Sequence, residues 1–177
     1  MAPGSDKLLD RIGWRILSEL QLNGRLPLTE LGRRVGLSTP AVGERVRRLE
    51  EAGIIMGYRA QIDNAKAGYP ILAFIRISVV GDFLSRVMKV SREVPEVLEC
   101  HRVTGSDSFV IKAIAGSIEE LEKVIDRFTP YVATTTAIVL SSVVTSGIIE
   151  PKPEQSDRRR GRSAGNQQAA SGGERSR

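Results

Sequence analysis

The chain has 177 residues, of which 41% are hydrophobic and 27% charged, a balance suited to one ordinary globular domain or two small ones. No apolar run approaches the roughly 20 residues that span a bilayer, and the opening MAPGSDKLLD carries no secretory pattern. A single cysteine, Cys100, cannot form an internal disulfide, so a reducing cytoplasm is expected and no membrane partner. The net charge of +5 is mostly a property of residues 151–177, where seven basic residues face three acidic ones, against nineteen and eighteen in residues 1–150.

The first ordered element is expected from Lys7, where Leu8, Leu9, Ile12, Ile16, Leu17 and Leu20 form one apolar stripe at helical spacing, ended by Asn23-Gly24. Leu28, Leu31 and Val35 mark a short second helix stopped by Gly36. Ser38 or Thr39 can cap a third, and Pro40 suits its first turn, where the missing N–H costs nothing. Val42, Val46 and Leu49 recur at i, i+4 and i+7 until Ala52-Gly53 closes the helix. Strand-like residues from Ile54 to Ile62 then suggest a small β-ribbon, which makes residues 7–62 a winged helix-turn-helix. Residues 63–69 read as a linker.

Residues 70–150 change rhythm. Strands are expected over Ile71–Val80, Val97–Thr104, Ser108–Ala115 and about Thr135–Thr145. Helices are expected over Phe83–Val94 and from the capping box Ser117-Ile118-Glu119-Glu120 onward. The order β-α-β-β-α-β is that of a ferredoxin-like domain, giving an α+β chain. After Pro151 and Pro153 the chain turns to Arg, Ser, Gly, Gln and Ala, which cannot build a core; residues 151–177 read as a disordered basic tail.

On a helical wheel the third helix turns Val42, Val46 and Leu49 inward. Pro40, Glu44, Arg47 and Glu51 lie opposite, with Gly43 and Arg48 on the flanks. A helix presented this way fits the major groove of double-stranded DNA with its N-terminal half at base edges. Arg47 is the expected base or phosphate contact, Thr39 and Gly43 would sit at the groove floor, and Ser38 or Thr39 could donate to phosphate. Arg45 lies about 60° from the core face, so a head paired to an acid competes with a phosphate contact. Glu44, Glu50 and Glu51 neutralise much of this helix, and arginines are common on surface helices. The RRRGR run at 158–162 is either a solvated terminus or a loose phosphate-attracting arm.

The stretch GRLPLTELGRRVGLSTPAVGERVRRLEEAGIIMGYRAQID resembles the helix-turn-helix and wing of the leucine-responsive/asparagine (Lrp/AsnC) regulators. The resemblance continues through AGYPILAFIRI, ECHRVTGSDSFVIKA and TTTAIVLSSVV, covering about residues 8–147. It implies a second domain that pairs into homodimers, assembling further to tetramers or octamers, and in many members senses an amino acid. Thr104, Gly105 and Asp107 match the family's turn beside the effector pocket, where Asp107 could pair with an α-ammonium. Thr134 and Thr136 match the threonine-bearing start of the last strand. Against this, Gly-Ser-Asp is also an ordinary hairpin turn. Gly13-Trp14 and Ser141-Ser142 depart from the family pattern, and Gly13 should weaken its helix by about 1 kcal/mol relative to Ala.

Two other readings stand beside a cytoplasmic, nucleoid-associated regulator. A nonspecific architectural DNA-binding protein would use the same fold and tail. A siroheme-decarboxylase-like enzyme would need more histidine than His101 alone, and no catalytic constellation, metal-ligand spacing or cofactor motif is present.

Overall fold

The computed structural model describes residues 8–79, 81–130 and 132–152. Two compact units emerge among the described residues, one from residues 8–59 together with 146–152, the other from 60–145.

The first unit is built on three helices, α1 (Arg11–Leu22), α2 (Leu28–Val35) and α3 (Thr39–Glu51). Asp10 caps α1, its carboxylate accepting from the Gly13 N–H at 2.7 Å. Gly36, at φ 79°, closes α2 in the left-handed region. Ser38 caps α3, with Pro40 in the first turn as the sequence implies. The apolar stripes of the three helices meet in one core of Ile16, Leu31, Val35, Val42, Val46 and Leu49, with Leu37, Ile54 and Ile55 packed around it. Burying such a stripe is what holds helices of 8 to 13 residues, too short to persist alone.

The expected β-ribbon over Ile54–Ile62 is not formed. Residues 54–62 make no strand ladder, and Met56, Tyr58 and Ile62 are exposed. Strand propensity alone cannot hold an extended segment that has no neighbouring strand to accept its N–H groups.

The second unit contains β1 (Ile71–Ser78), α4 (Leu84–Glu93), β2 (Val97–Arg102), β3 (Phe109–Ala115), α5 (Ile118–Asp126) and β4 (Ala133–Ile138). Its sheet has the order β2-β3-β1-β4 with every pair antiparallel, the ferredoxin-like topology. Ala73, Ile75 and Ile77 of β1 alternate with outward residues and face α4 and α5 across a core that includes Val87, Val90, Phe109, Ile111, Val124 and Phe128. Ser117 caps α5 through the Glu120 N–H, and Glu120 returns a carboxylate to the Gly116 N–H at 2.8 Å.

Three boundaries differ from those read in the sequence. β4 ends at Ile138, well short of Thr145, because its partner runs out: Ile138 pairs with Ala73, the Val139 N–H reaches the Leu72 carbonyl, and β1 is preceded by Pro70, which has no N–H. Residues 63–69 form a compact turn closed by Ala67 N–H to Asp63 O and Tyr69 N–H to Asn64 O, and they group with the second unit. Residues 146–152 group with the first unit, although the sequence places 146–150 in the second domain. Lys7, Val80 and the tail from Pro153 lie outside the described residues.

Candidate functional site

The turn before α3 explains how this helix is aimed. Gly32 lets α2 approach that turn: a Cβ there would lie 2.7 Å from the Leu37 carbonyl oxygen. The N–H groups of Gly36 and Leu37 both donate to the Gly32 carbonyl at 2.9 Å, so the chain reverses tightly into Ser38. The Ser38 hydroxyl accepts from the Ala41 N–H at 3.4 Å, which leaves its own proton free to donate outward. Ser38, Thr39 and Pro40 are all exposed at the positive end of α3, the end that attracts phosphate.

Arg47 and Arg48 are exposed on the face opposite Val42 and Val46. Glu44 accepts from Arg47 Nε at 2.9 Å and Nη2 at 2.7 Å, and from Arg48 Nε at 2.8 Å; Glu51 takes a further hydrogen bond from Arg47. These contacts hold the Glu44 carboxyl down at about 2, with Arg47 the larger cause and Arg48 the next, and they raise Arg47. The outward face is thus a charge-balanced lattice of two cations and two anions on neighbouring turns. Exposed pairs of this kind exchange readily for other partners.

Arg45 and Gly43 have partners inside the first unit. Arg45 makes a bidentate pair with Asp10, 35 residues away, at 2.7 and 2.8 Å, so its guanidinium clasps the start of α1 to α3. The charge-paired alternative is the one realised, because the Asp10 cap stands where the Arg45 stem points. The Asp10 carboxyl is lowered to about 2, first by Arg45 and then by the Gly13 N–H. Gly43 faces α2: a Cβ on it would meet the Leu28 side chain at 3.4 Å, ordinary contact, so its small size is not required by that packing.

In the second unit the turn Thr104-Gly105-Ser106-Asp107 projects from the β2–β3 hairpin, with Gly105 at φ 115°. Ser108 ties it to β1 by donating its N–H to the Ile77 carbonyl at 2.7 Å, while its hydroxyl accepts from the Val79 N–H at 3.2 Å. The Asp107 carboxylate accepts from the Ser78 hydroxyl at 3.3 Å and lies 4.0 Å from Arg76 Nη1. Arg76 and Ser78 were missed by sequence reasoning. The alternation of β1, which puts Phe74, Arg76 and Ser78 on its outward side, was the available signal.

Thr134 and Thr136 do not join this cluster. They stand opposite Ile77 and Ile75, and directly opposed residues share a face, so both lie on the helix-covered side; Thr135, opposite Arg76, is the one on the cluster's face. His101 is exposed on the sheet, its Nε2 3.1 Å from Glu99, which also accepts from Lys112 at 2.9 Å. Lys112 and then His101 lower the Glu99 carboxyl. Among the described residues no cluster of His, Cys, Asp and Glu could hold a metal ion, and no helix is long and apolar enough to cross a membrane.

Comparison with known proteins agrees with both halves of this layout. Residues 9–50 match the AsnC-type helix-turn-helix domain, and residues 72–149 match the Lrp/AsnC ligand binding domain. The chain is 35% identical to the HTH-type transcriptional regulator LrpC of Bacillus subtilis over 137 residues, 77% of this chain and 95% of that protein. It is 34% identical to LrpA of Mycobacterium tuberculosis over 140 residues, 77% and 93% of the two chains. The solved structure of LrpC superposes with a TM-score of 0.74, covering 77% of this chain and 98% of the other. A feast or famine regulatory protein of M. tuberculosis complexed with L-methionine, 33% identical, superposes with a TM-score of 0.73 over 81% and 99%. The three-helix head, the antiparallel four-stranded domain and these likenesses make the chain a member of the Lrp/AsnC family of DNA-binding transcription regulators.

Proposed function

We propose that this regulator acts as a homodimer, or an assembly of dimers, that sets paired α3 helices in successive major grooves and responds to an amino acid bound at the Asp107 turn. The observation that carries the DNA part is the outward face of α3. Ser38 and Thr39 sit at its positive end for phosphate, and Arg47 and Arg48 lie behind them, held by Glu44 and Glu51. In a groove, Arg47 exchanges its carboxylates for a guanine edge or a phosphate, while Glu44 accepts from a cytosine amino group. A carboxylate on this face repels phosphate wherever no base donor meets it, which favours selective over nonspecific binding.

The effector part rests on Asp107, Arg76 and Ser78. Asp107 takes the α-ammonium, Arg76 the α-carboxylate, and Gly105 and Thr104 leave the turn open to the ligand. Structures of two similar proteins are complexes with L-methionine: the M. tuberculosis protein and a Neisseria meningitidis transcriptional regulator, which is 28% identical to this chain with a TM-score of 0.75 over 80% of it and 96% of the other. L-methionine is therefore the first ligand to try. Its binding shifts the assembly state and with it the DNA-binding mode. The open sheet face, with Phe74 40% exposed, and the bare apolar stretch Leu140, Val143 and Val144 supply the apolar surface a second copy would cover. The protein carries no catalytic activity of its own and works in the cytoplasm, where its DNA is.

Fluorescence anisotropy with the protein's own upstream duplex and a scrambled one tests the reading. Selective binding that drops by at least tenfold in Arg47→Ala is expected, about 1.4 kcal/mol or more. Equal affinity for both duplexes would replace it with the architectural alternative. Calorimetry with L-methionine should show binding that Asp107→Ala abolishes, and unchanged binding would sink the effector site.

A further inference from the structure

The chain passes between the two units twice, after Arg59 and again before Ser146. Each passage is pinned to the DNA-reading unit close to where it occurs, and to a different helix. At the first, the Tyr58 hydroxyl donates to Glu50 in the last turn of α3 at 3.0 Å. Burial first and that bond second push the hydroxyl up to about 12. At the second, Gln21 near the end of α1 donates from Nε2 to the Ile149 carbonyl at 3.1 Å, while its Oε1 accepts from the Ile149 N–H at 2.7 Å. A primary amide can donate and accept at once, so this pair imitates one rung of an antiparallel ladder.

The two pins share one apolar cleft of about 310 Å³, with Tyr58 and Ile149 both on its wall beside Trp14, Leu17 and Ile54. Polar pairing rather than burial holds the second pin, since Ile149 is 71% exposed and Ile148 44%. The slack it leaves is short: the step from Thr145 to Ile149 spans at most about 14 Å. A unit joined by one covalent strand can swivel about it. Joined by two, each fixed to a different helix, it cannot swivel about either alone.

We propose that Gln21 is a positioning residue for DNA recognition: by pinning residue 149 to α1 it fixes the reading unit at both passages, and so fixes the distance between the two α3 helices of a dimer. This rests on the reading of α3 as the DNA-contacting helix in paired copies. On DNA the restraint is a preference for half-site spacing, because paired helices enter grooves one turn apart. Loosening it costs affinity at the correct spacing, where freedom must then be lost on binding, and lowers the penalty at a wrong one.

The test uses the full-length chain with Gln21→Ala and Tyr58→Phe, alone and combined. Alanine is the best helix former, so α1 keeps its own stability. Hydrogen exchange without DNA comes first: Gln21→Ala should raise the exchange rate of the Ile149 amide at least tenfold while α1 and α3 stay protected. Unchanged exchange would overturn the pin. Anisotropy then compares three duplexes: the recognised site, the same site with five base pairs inserted at its centre, and one half-site. That insertion is about half a turn and puts the second half-site on the opposite face of the duplex. On the inserted duplex the unaltered chain should lose roughly thirtyfold or more in affinity, and Gln21→Ala less than about fivefold. On the recognised site Gln21→Ala should weaken binding by roughly three- to tenfold, and on the half-site it should match the parent. Tyr58→Phe should act in the same direction. Losing either pin already frees the unit, so the combined variant should add less than about twofold. An insertion penalty equal in parent and Gln21→Ala would overturn the proposal. So would a loss on the half-site as large as on the whole site, which marks a merely weakened reading unit. A parent that ignores the insertion, or an Arg47→Ala chain that binds as tightly as the parent, would instead remove the paired reading of α3, and the proposal with it.

Discussion

At Gly13 the helix propensity scale and the packed structure give opposite signs. Alanine is favoured over glycine inside a helix by about 1 kcal/mol. Here, however, a Cβ would lie 1.9 Å from the Leu8 carbonyl oxygen and 3.0 Å from its carbon, backbone atoms that cannot step aside cheaply. Gly13→Ala should therefore destabilise the first unit, by about 1–3 kcal/mol, the usual cost of overpacking. Urea denaturation followed by the fluorescence of Trp14, the chain's single tryptophan, reports on this unit; a variant more stable than the parent would show that propensity wins. Asp10 gives a second prediction. Its carboxyl lies at about 2 when folded against an ordinary 3.8, so the Arg45 pair contributes stability above pH 4 and loses it as pH falls from about 4 to about 2. The melting temperature should thus fall more steeply across that interval in the parent than in Asp10→Asn, and parallel curves would mean the pair contributes nothing.

At the scale of elements, α3 shows what a stripe pattern can specify. Its cap, its inward residues and its outward arginines follow from spacing alone, since 3.6 residues per turn fixes which side chains share a face. The fate of each outward charge does not follow. Arg45 and Arg48 differ by less than a full turn, yet one is spent on Asp10 and the other stays on the outward face with Glu44. The strands divide similarly. The alternation of β1 reveals which residues face the helices, but the end of β4 depends on where Pro70 and Ile71 begin the neighbouring strand, and so does the face on which Thr134 and Thr136 fall. A one-residue change in that register would exchange the two faces.

For the whole molecule, the exposed apolar surface is the feature with consequences. Phe74 is 40% exposed on the open side of the sheet, and Leu140 and Val143 are 97% exposed just beyond β4. Apolar area of this kind is rarely left bare. If the proposed homodimer forms through this face, the unaltered chain sediments as a dimer at micromolar concentration and Phe74→Glu as a monomer with an intact circular dichroism spectrum; a dimer that persists would move the interface elsewhere, and a monomeric parent would sink it.

Local rules thus carried much of this protein's reading. Helix stripes, capping residues and the βαββαβ order were enough to name two domains, and the stretches from Gly24 to Asp63 and around Thr104–Asp107 were enough to suggest the family. These features are set by neighbours within a few residues of one another, which is what periodicity and turn chemistry record. The tertiary structure decided the pairings of partners far apart in the chain: Asp10 with Arg45, Gln21 with Ile149, Asp107 with Ser78, and Thr136 with Ile75. Each depends on how elements approach in space, and a charge, an amide or a threonine carries no mark in the sequence of which distant group it will meet.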